Sequence, residues 1–202
     1  MRMNIKHNLN IVGEHFFDNS GLEFVVTNEA GRSEHGDMLY DVQYIKTGYI
    51  NKSRRRMEIR RGRVRDKYAP IVSGVACIGE ITIPNRKCIE RKLYETWKNM
   101  IYRCYNPKCY SYKYYGMKGV TVCDEWLCFK NFYNDAKELN GYNEELIMNR
   151  IIELDKDIID RSLKQYNKET CQWVTVAKNR SESGKNRWNN YRMQQQGVTT
   201  IP

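Results

Sequence analysis

The sequence predicts an α+β protein: a small antiparallel β domain, then a helical domain that closes on two late strands. Three observations predict it. LEFVVTN and MLYDVQYIKTGYI alternate or cluster β-branched and aromatic residues between Gly, Asn and Asp turns. Leu93, Trp97, Met100, Ile101 and Cys104 recur at the spacing of one helix face. IIELDKDII and CQWVTV read as strands on either side of a turn around Lys164–Lys168.

A chain of 202 residues has room for one medium domain or two small ones. Its 41% hydrophobic and 29% charged residues suit a cored chain with a polar surface, and its fifteen tyrosines argue against a wholly disordered one. A mean hydropathy of −0.76 and the lack of any apolar run of about 18 residues exclude a transmembrane helix. The opening stretch MRMNIKHNLNIVGEHFF has neither the apolar centre nor the cleavage site of an export signal. The expected setting is therefore cytoplasmic, with no membrane partner. A net charge of +10 directs attention to polyanions, nucleic acid foremost.

Taken in order, residues 1–80 are expected to form the β domain, with strands over about 10–80. Residues 1–50 are slightly acidic, whereas 51–67, NKSRRRMEIRRGRVRDK, hold nine Lys/Arg against Glu58 and Asp66. Met57, Ile59 and Val64 interrupt the arginines, so MEIRRGRV reads as a strand broken at Gly62. Lys46, Arg54, Arg55 and Arg56 are candidate phosphate contacts, as are Arg60, Arg61, Arg63 and Arg65. The competing reading of the same arginines is a charged edge strand that resists aggregation.

Residues 80–92, with Pro84, form the expected boundary, and 81–186 the second domain. Its first helix carries Arg91, Lys92, Lys98 and Arg103 opposite the apolar face and stops at Asn106-Pro107; Arg103 joins the candidate contacts. The loop KCYSYKYYGMKG interleaves Tyr110, Tyr112, Tyr114 and Tyr115 with Lys108, Lys113 and Lys118. Either its rings stack on bases while Lys113 and Lys118 hold the backbone, or it caps the core. VTVC reads as a short strand. Phe129, Phe132, Tyr133 and Ala136 mark a second helix that Gly141 stops. A polar helix or arm begins at Ala177, and 187–202 form a basic, polar tail; Lys178, Arg180, Lys185 and Arg187 complete the candidate contacts.

Seven cysteines without an export signal read as reduced thiols. Cys104 with Cys109 and Cys123 with Cys128 make two C-x4-C pairs, a spacing open to structural zinc. Burial as small hydrophobes is the favoured reading of these four.

Several strings in order, LYETWKNMIYRCYNP, YYGMKGVTVCDEWLCFKNFYNDA, LDKDI and YNKETCQWVTVAKN, resemble a group of phage-encoded HNH-endonuclease-like proteins. IKTGYI, GRVRDKYAP and SGV resemble the β domain that precedes this region in some members, so the likeness covers most of 10–186. It implies a ββα-metal module near 150–186, acting in the cytoplasm of an infected bacterial cell. Carried over by position, Asp155 matches the metal-binding Asp. Asn167 matches the turn residue that orients the base, and Asn179 the helix position that completes the metal site with Asp155. A bound Mg2+ or Mn2+ is then expected in an active nuclease.

The general-base position holds Lys156. The chain's histidines are His7, His15 and His35, all in the expected β domain. An imidazole is poised to take a proton near neutral pH, whereas a lysine with an ordinary pKa of about 10.4 is already protonated. Lys156 is better suited to holding a phosphate, and Asp155 to pairing with Lys156 or Arg161. The expected function is nucleic-acid binding, DNA above all, on a scaffold that lacks the usual catalytic His. The alternatives are an active metal-dependent endonuclease and an interaction protein whose basic surface meets RNA or an acidic host protein.

Overall fold

The computed structural model describes residues 10–156 and 163–181. The chain divides into two compact units, 1–69 and 70–202. The division falls before the expected boundary at 80–92, because Val72 and Ala76 bury into the second unit's core and the Cys77 backbone forms a parallel β-bridge with that of Cys128.

In the first unit β1 (His15–Phe17), β2 (Glu23–Arg32), β3 (Met38–Tyr44) and β4 (Ile50–Arg55) follow one another as an antiparallel meander. Alternation along β3 sends Tyr40, Val42 and Tyr44 to one face. There they meet Phe24, Val26, Ile11, Ile59 and Val64 in a closed core. The expected arginine strand MEIRRGRV is instead a short helix, α1 (Arg56–Arg60), followed by extended chain. The Glu58 carboxylate at the third helical position accepts the Arg55 N–H at 3.1 Å, half of a capping box. Ile59 is the residue α1 buries. Gly62 turns the chain at φ +61°, where a side chain would press on the Phe17 carbonyl at 2.9 Å. From Arg61 to Asp66 exposed and buried residues then alternate. Asn51 holds this segment by donating to the Arg65 carbonyl at 3.0 Å, and Thr47 donates to Asp66 at 2.6 Å.

The second unit is organised by α2 (Ile89–Tyr105), whose buried side is Ile89, Leu93, Trp97, Met100, Ile101 and Cys104, the predicted face extended by one residue. Asn106 ends it as expected. Two 3-10 turns, Tyr110–Tyr114 and Gly116–Lys118, lead into β5 (Thr121–Val122). After a further 3-10 turn come α3 (Phe129–Ala136), α4 (Glu144–Met148), β6 (Ile152–Asp155), β7 (Gln165–Tyr166) and β8 (Gln172–Thr175). A helical segment, 176–181, closes the described chain. The turn expected at Lys164–Lys168 thus contains a strand, because β7 pairs in parallel with β5.

Three tryptophans lie in this core with every indole N–H bonded, the condition for burying that group. Trp97 donates to the Trp126 carbonyl at 2.7 Å, Trp126 to Asp135 at 2.8 Å, and Trp173 to the Ala136 carbonyl at 2.8 Å. Gly141 does not stop α3, which ends at Ala136. Its place at φ +79° lets the backbone approach the Trp173 carbonyl so closely that a Cβ would collide with it. This contact docks the α3–α4 connection onto β8, and so positions the β6–β8 strand pair against α2.

Candidate nucleic-acid interface

The exposed flank of α2 forms one wall of two adjoining clefts in the second unit. One, of about 480 Å³, is lined by Arg86, Lys87 and Arg91 with Asn85 and Met148. The other, of about 510 Å³, lies between α2 and the β6–β8 strand pair, where Arg103, Arg180, Thr96 and Asn99 contribute. Lys92, Glu95 and Arg150 line both. Among the described residues the carboxylates here are Glu95 and Glu153, outnumbered by the cations. Arginines and lysines in a concave surface focus a positive field that a convex surface of equal charge would not.

β6 and β8 pair antiparallel, Leu154 opposite Trp173 and Asp155 opposite Gln172, and lead directly into the 176–181 helical segment. The order is thus an antiparallel strand pair, with β7 between the two in sequence, and then a helix. Asn179, expected on this helix, donates from Nδ2 to Glu153 Oε1 at 2.8 Å and so ties the helical segment to β6. Glu153 stands two residues before Asp155, on the same strand face. Asp155 and Lys156 are both buried, at 7% and 5% exposure, and neither lines the two clefts.

Lys156 places its ammonium 5.8 Å from the Tyr166 ring centre, and Arg103 its guanidinium 5.0 Å from the same ring and 4.9 Å from Tyr115. Aromatic faces compensate part of the cost of withdrawing a cation from water. Burial pushes the Tyr166 phenol well above its usual range, although Arg103 works against the shift. Arg103, predicted as a phosphate contact, is therefore held between two rings at the back of its cleft. Its Nε is buried without a hydrogen bond.

Asn167 lies in the turn between β7 and β8. Its side-chain oxygen accepts the N–H groups of Glu169 at 3.1 Å and Thr170 at 2.8 Å, so the amide is committed to the local backbone. The four expected site residues thus divide: Asp155, Lys156 and Asn179 belong to the strand pair and its helix, and Asn167 to the β7–β8 turn. Among the described residues no three His, Cys, Asp or Glu side chains converge as metal ligands do. At the divalent-metal centre that the resemblance implies, the Asn179 Nδ2 is committed to Glu153 and a lysine follows Asp155 in sequence. No step below is routed through that centre.

The four cysteines weighed for zinc are dispersed in role. The Cys104 thiol is in the core and Cys128 lies beside Gly79, while Cys109 and Cys123 flank 3-10 turns. Burial pushes Cys104 and Cys123 up to about 11.

In the Tyr/Lys loop, Tyr110 and Tyr114 meet edge to face at 6.1 Å, with the Lys113 ammonium 4.3 and 4.8 Å from their ring centres. Tyr110 is 76% exposed, so these rings do not cap the core; Lys118 is exposed beside them. Lys178 and Arg180 are exposed on the last helical segment. Lys185, Arg187 and Arg161 lie outside the described residues.

In the β unit, Arg61, Arg63 and Arg65 share the exposed side of the extended segment and Lys46 is exposed in the β3–β4 turn. Arg60 is exposed at the end of α1. Arg54 is half-buried and donates to the Lys52 carbonyl at 2.8 Å. Arg55 faces Asp37 at 3.8 Å, and with Arg56 it lines a cleft of about 900 Å³ that also holds Arg32, Glu29 and Asp37. The arginine-rich stretch thus runs through the end of β4, α1 and the segment after it, and Arg55 and Arg56 line a cleft that does not include Arg61, Arg63 and Arg65.

Arg86, Lys87, Arg150 and the shared position of Lys92 were not among the sequence candidates. Arg91 and Lys92 were visible as the polar face of α2; nothing local marks Arg150. Compared with known proteins, the chain matches no family model, no curated protein and no solved structure. Among the described residues no helix is long and apolar enough to cross a membrane.

Proposed function

We propose that the protein binds nucleic acid, DNA in the first instance, through the cationic groove of its second unit. The observation that carries this reading is the convergence of Arg86, Lys87, Arg91, Lys92, Arg150 and Arg180 on two adjoining clefts. These residues come from the α2 lead-in, α2, the α4–β6 turn and the last helical segment. Backbone phosphates are the complementary ligand: arginine offers them a planar fork of donors, and each neutralised phosphate releases counterions. The exposed Tyr110 and Tyr114 rings suit stacking on an unpaired base. The scaffold is read as HNH-like with the catalytic base lost, since Lys156 is buried against Tyr166 where a histidine is expected. The test is a mobility shift with a DNA duplex at 50 and 200 mM salt. Retention at low salt and a steep loss at high salt are expected; no retention at low salt for DNA or RNA leaves an acidic protein as the partner.

A second reading, metal-dependent DNA cleavage, draws on one observation, the β6–β8 strand pair that runs into a helix joined to it by Asn179 and Glu153. It predicts nicked or linear plasmid with Mg2+ or Mn2+, abolished by EDTA and by Asp155→Ala. Intact plasmid under all conditions, with DNA still retained, supports the binding module.

A further inference from the structure

Arg150 occupies a backbone position that glycine fills best. α4 ends in a Schellman arrangement: the Arg150 N–H donates to the Ile147 carbonyl at 3.1 Å and the Ile151 N–H to the Leu146 carbonyl at 2.9 Å. The residue after the helix cap must then be left-handed, and Arg150 has φ +59°. An L-residue is disfavoured there because its Cβ crowds the carbonyl. Of the three non-glycine residues with positive φ among the described residues, Ser53, Ser73 and Arg150, Arg150 alone bears a long charged side chain. Its side chain is exposed, and among the described residues no carboxylate pairs with its guanidinium. The fold gains nothing visible from arginine here, yet the residue stands where the two clefts meet.

We propose that Arg150 is the anion seat that joins the two clefts into one track, gripping a backbone phosphate of a nucleic-acid strand that crosses both. This rests on the nucleic-acid reading above. Local strain retained at one exposed cation fits a ligand contact better than a structural one, and the rigid turn fixes where the fork of donors begins. Lys92, across the junction on α2, supplies a second positive charge to the same strand.

The experiment compares wild type, Arg150→Gly and Arg150→Lys for binding to a short DNA duplex across a salt series, with thermal unfolding of each. Arg150→Gly is expected to raise the unfolding midpoint by about 2–4 °C, because the left-handed turn relaxes. The same variant is expected to weaken binding and to lower the salt slope by about 0.9, one phosphate contact. Arg150→Lys is expected to keep most of the slope, since the charge remains. Wild-type affinity and slope in Arg150→Gly overturn the seat while leaving the groove reading intact. A lower midpoint in Arg150→Gly also overturns it, by assigning the arginine to the fold. A wild type that binds no DNA at low salt overturns both.

Discussion

In the β unit Arg61, Arg63 and Arg65 follow one another along a single extended segment, whereas Lys92, Arg150 and Arg180 in the second unit come from a helix, a turn and the last helical segment. The β unit's cleft mixes Arg32, Arg55 and Arg56 with Glu29 and Asp37, so its concave surface is nearly balanced. The second unit's clefts are dominated by cations. Exposed charges on an open surface are screened within about 10 Å at 0.1 M salt, while a cleft focuses the field of the charges that line it. On the proposed reading, charge density along the chain is a poor guide to where a polyanion would be held. Convergence in space is the better one.

The largest expected effect tests whether the groove depends on the second core. Trp97→Ala removes a fully buried indole and its hydrogen bond to Trp126. It is expected to cost about 3–5 kcal/mol of the second unit's stability, and DNA retention with it. Near-ultraviolet circular dichroism during urea unfolding reports the loss; an unchanged midpoint would show that the indole is not a keystone of α2.

Alkaline pH is the next lever on the same unit. Burial raises the Cys171 thiol to about 12 and the Cys104 thiol to about 11, above the ordinary 9.0. Thiols held protonated in the fold ionise freely once unfolded. Their stabilising contribution is thus complete below about pH 9 and is lost as pH rises through 11 to 12. Urea midpoints at pH 7.5 and pH 10.5 should differ, the second being lower, and Cys171 should resist alkylation at pH 8 until the chain is unfolded. Rapid alkylation of Cys171 in the folded state would contradict its placement.

A smaller effect sharpens the contrast between the units. Replacing Arg61, Arg63 and Arg65 together by Ala is expected to weaken DNA binding only a few-fold, with the β-unit core of Phe24, Tyr40 and Val42 unaffected. Surface substitutions of this kind change stability by about 0.5 kcal/mol or less. A collapse of the salt slope in that variant would move the principal interface to the β unit.

Much of the scaffold was legible before any coordinates. The face Leu93, Trp97, Met100, Ile101 and Cys104 appears in α2 as read, because a burial stripe repeated over three turns outweighs local noise. β3 was legible through Tyr40, Val42 and Tyr44 for the same reason at period two. The α1 helix was not: five residues carry one buried side chain, Ile59, and the Glu58 cap is weak evidence in a run of arginines. β7 was hidden because two residues have no period, and only pairing with β5 makes them a strand.

The site divided along similar lines. Asp155, Lys156 and Asn179 were singled out by motif order through the resemblance alone, and the burial of Lys156 against Tyr166 depends on contacts distant in sequence. Arg103 looked like surface charge on a polar helix face and lies instead between Tyr115 and Tyr166. Arg150 had no local signal, since its role follows from a turn geometry and two clefts that exist only once the chain is folded.

The most direct measurement is the salt dependence of DNA affinity for wild type and for Arg91→Ala combined with Lys92→Ala, both followed by fluorescence anisotropy. The account predicts a linear fall of log K with log salt, and a slope smaller by about 0.9 for each groove cation that had held a phosphate. A double variant with the wild-type slope, or a wild type whose affinity ignores salt, would contradict it.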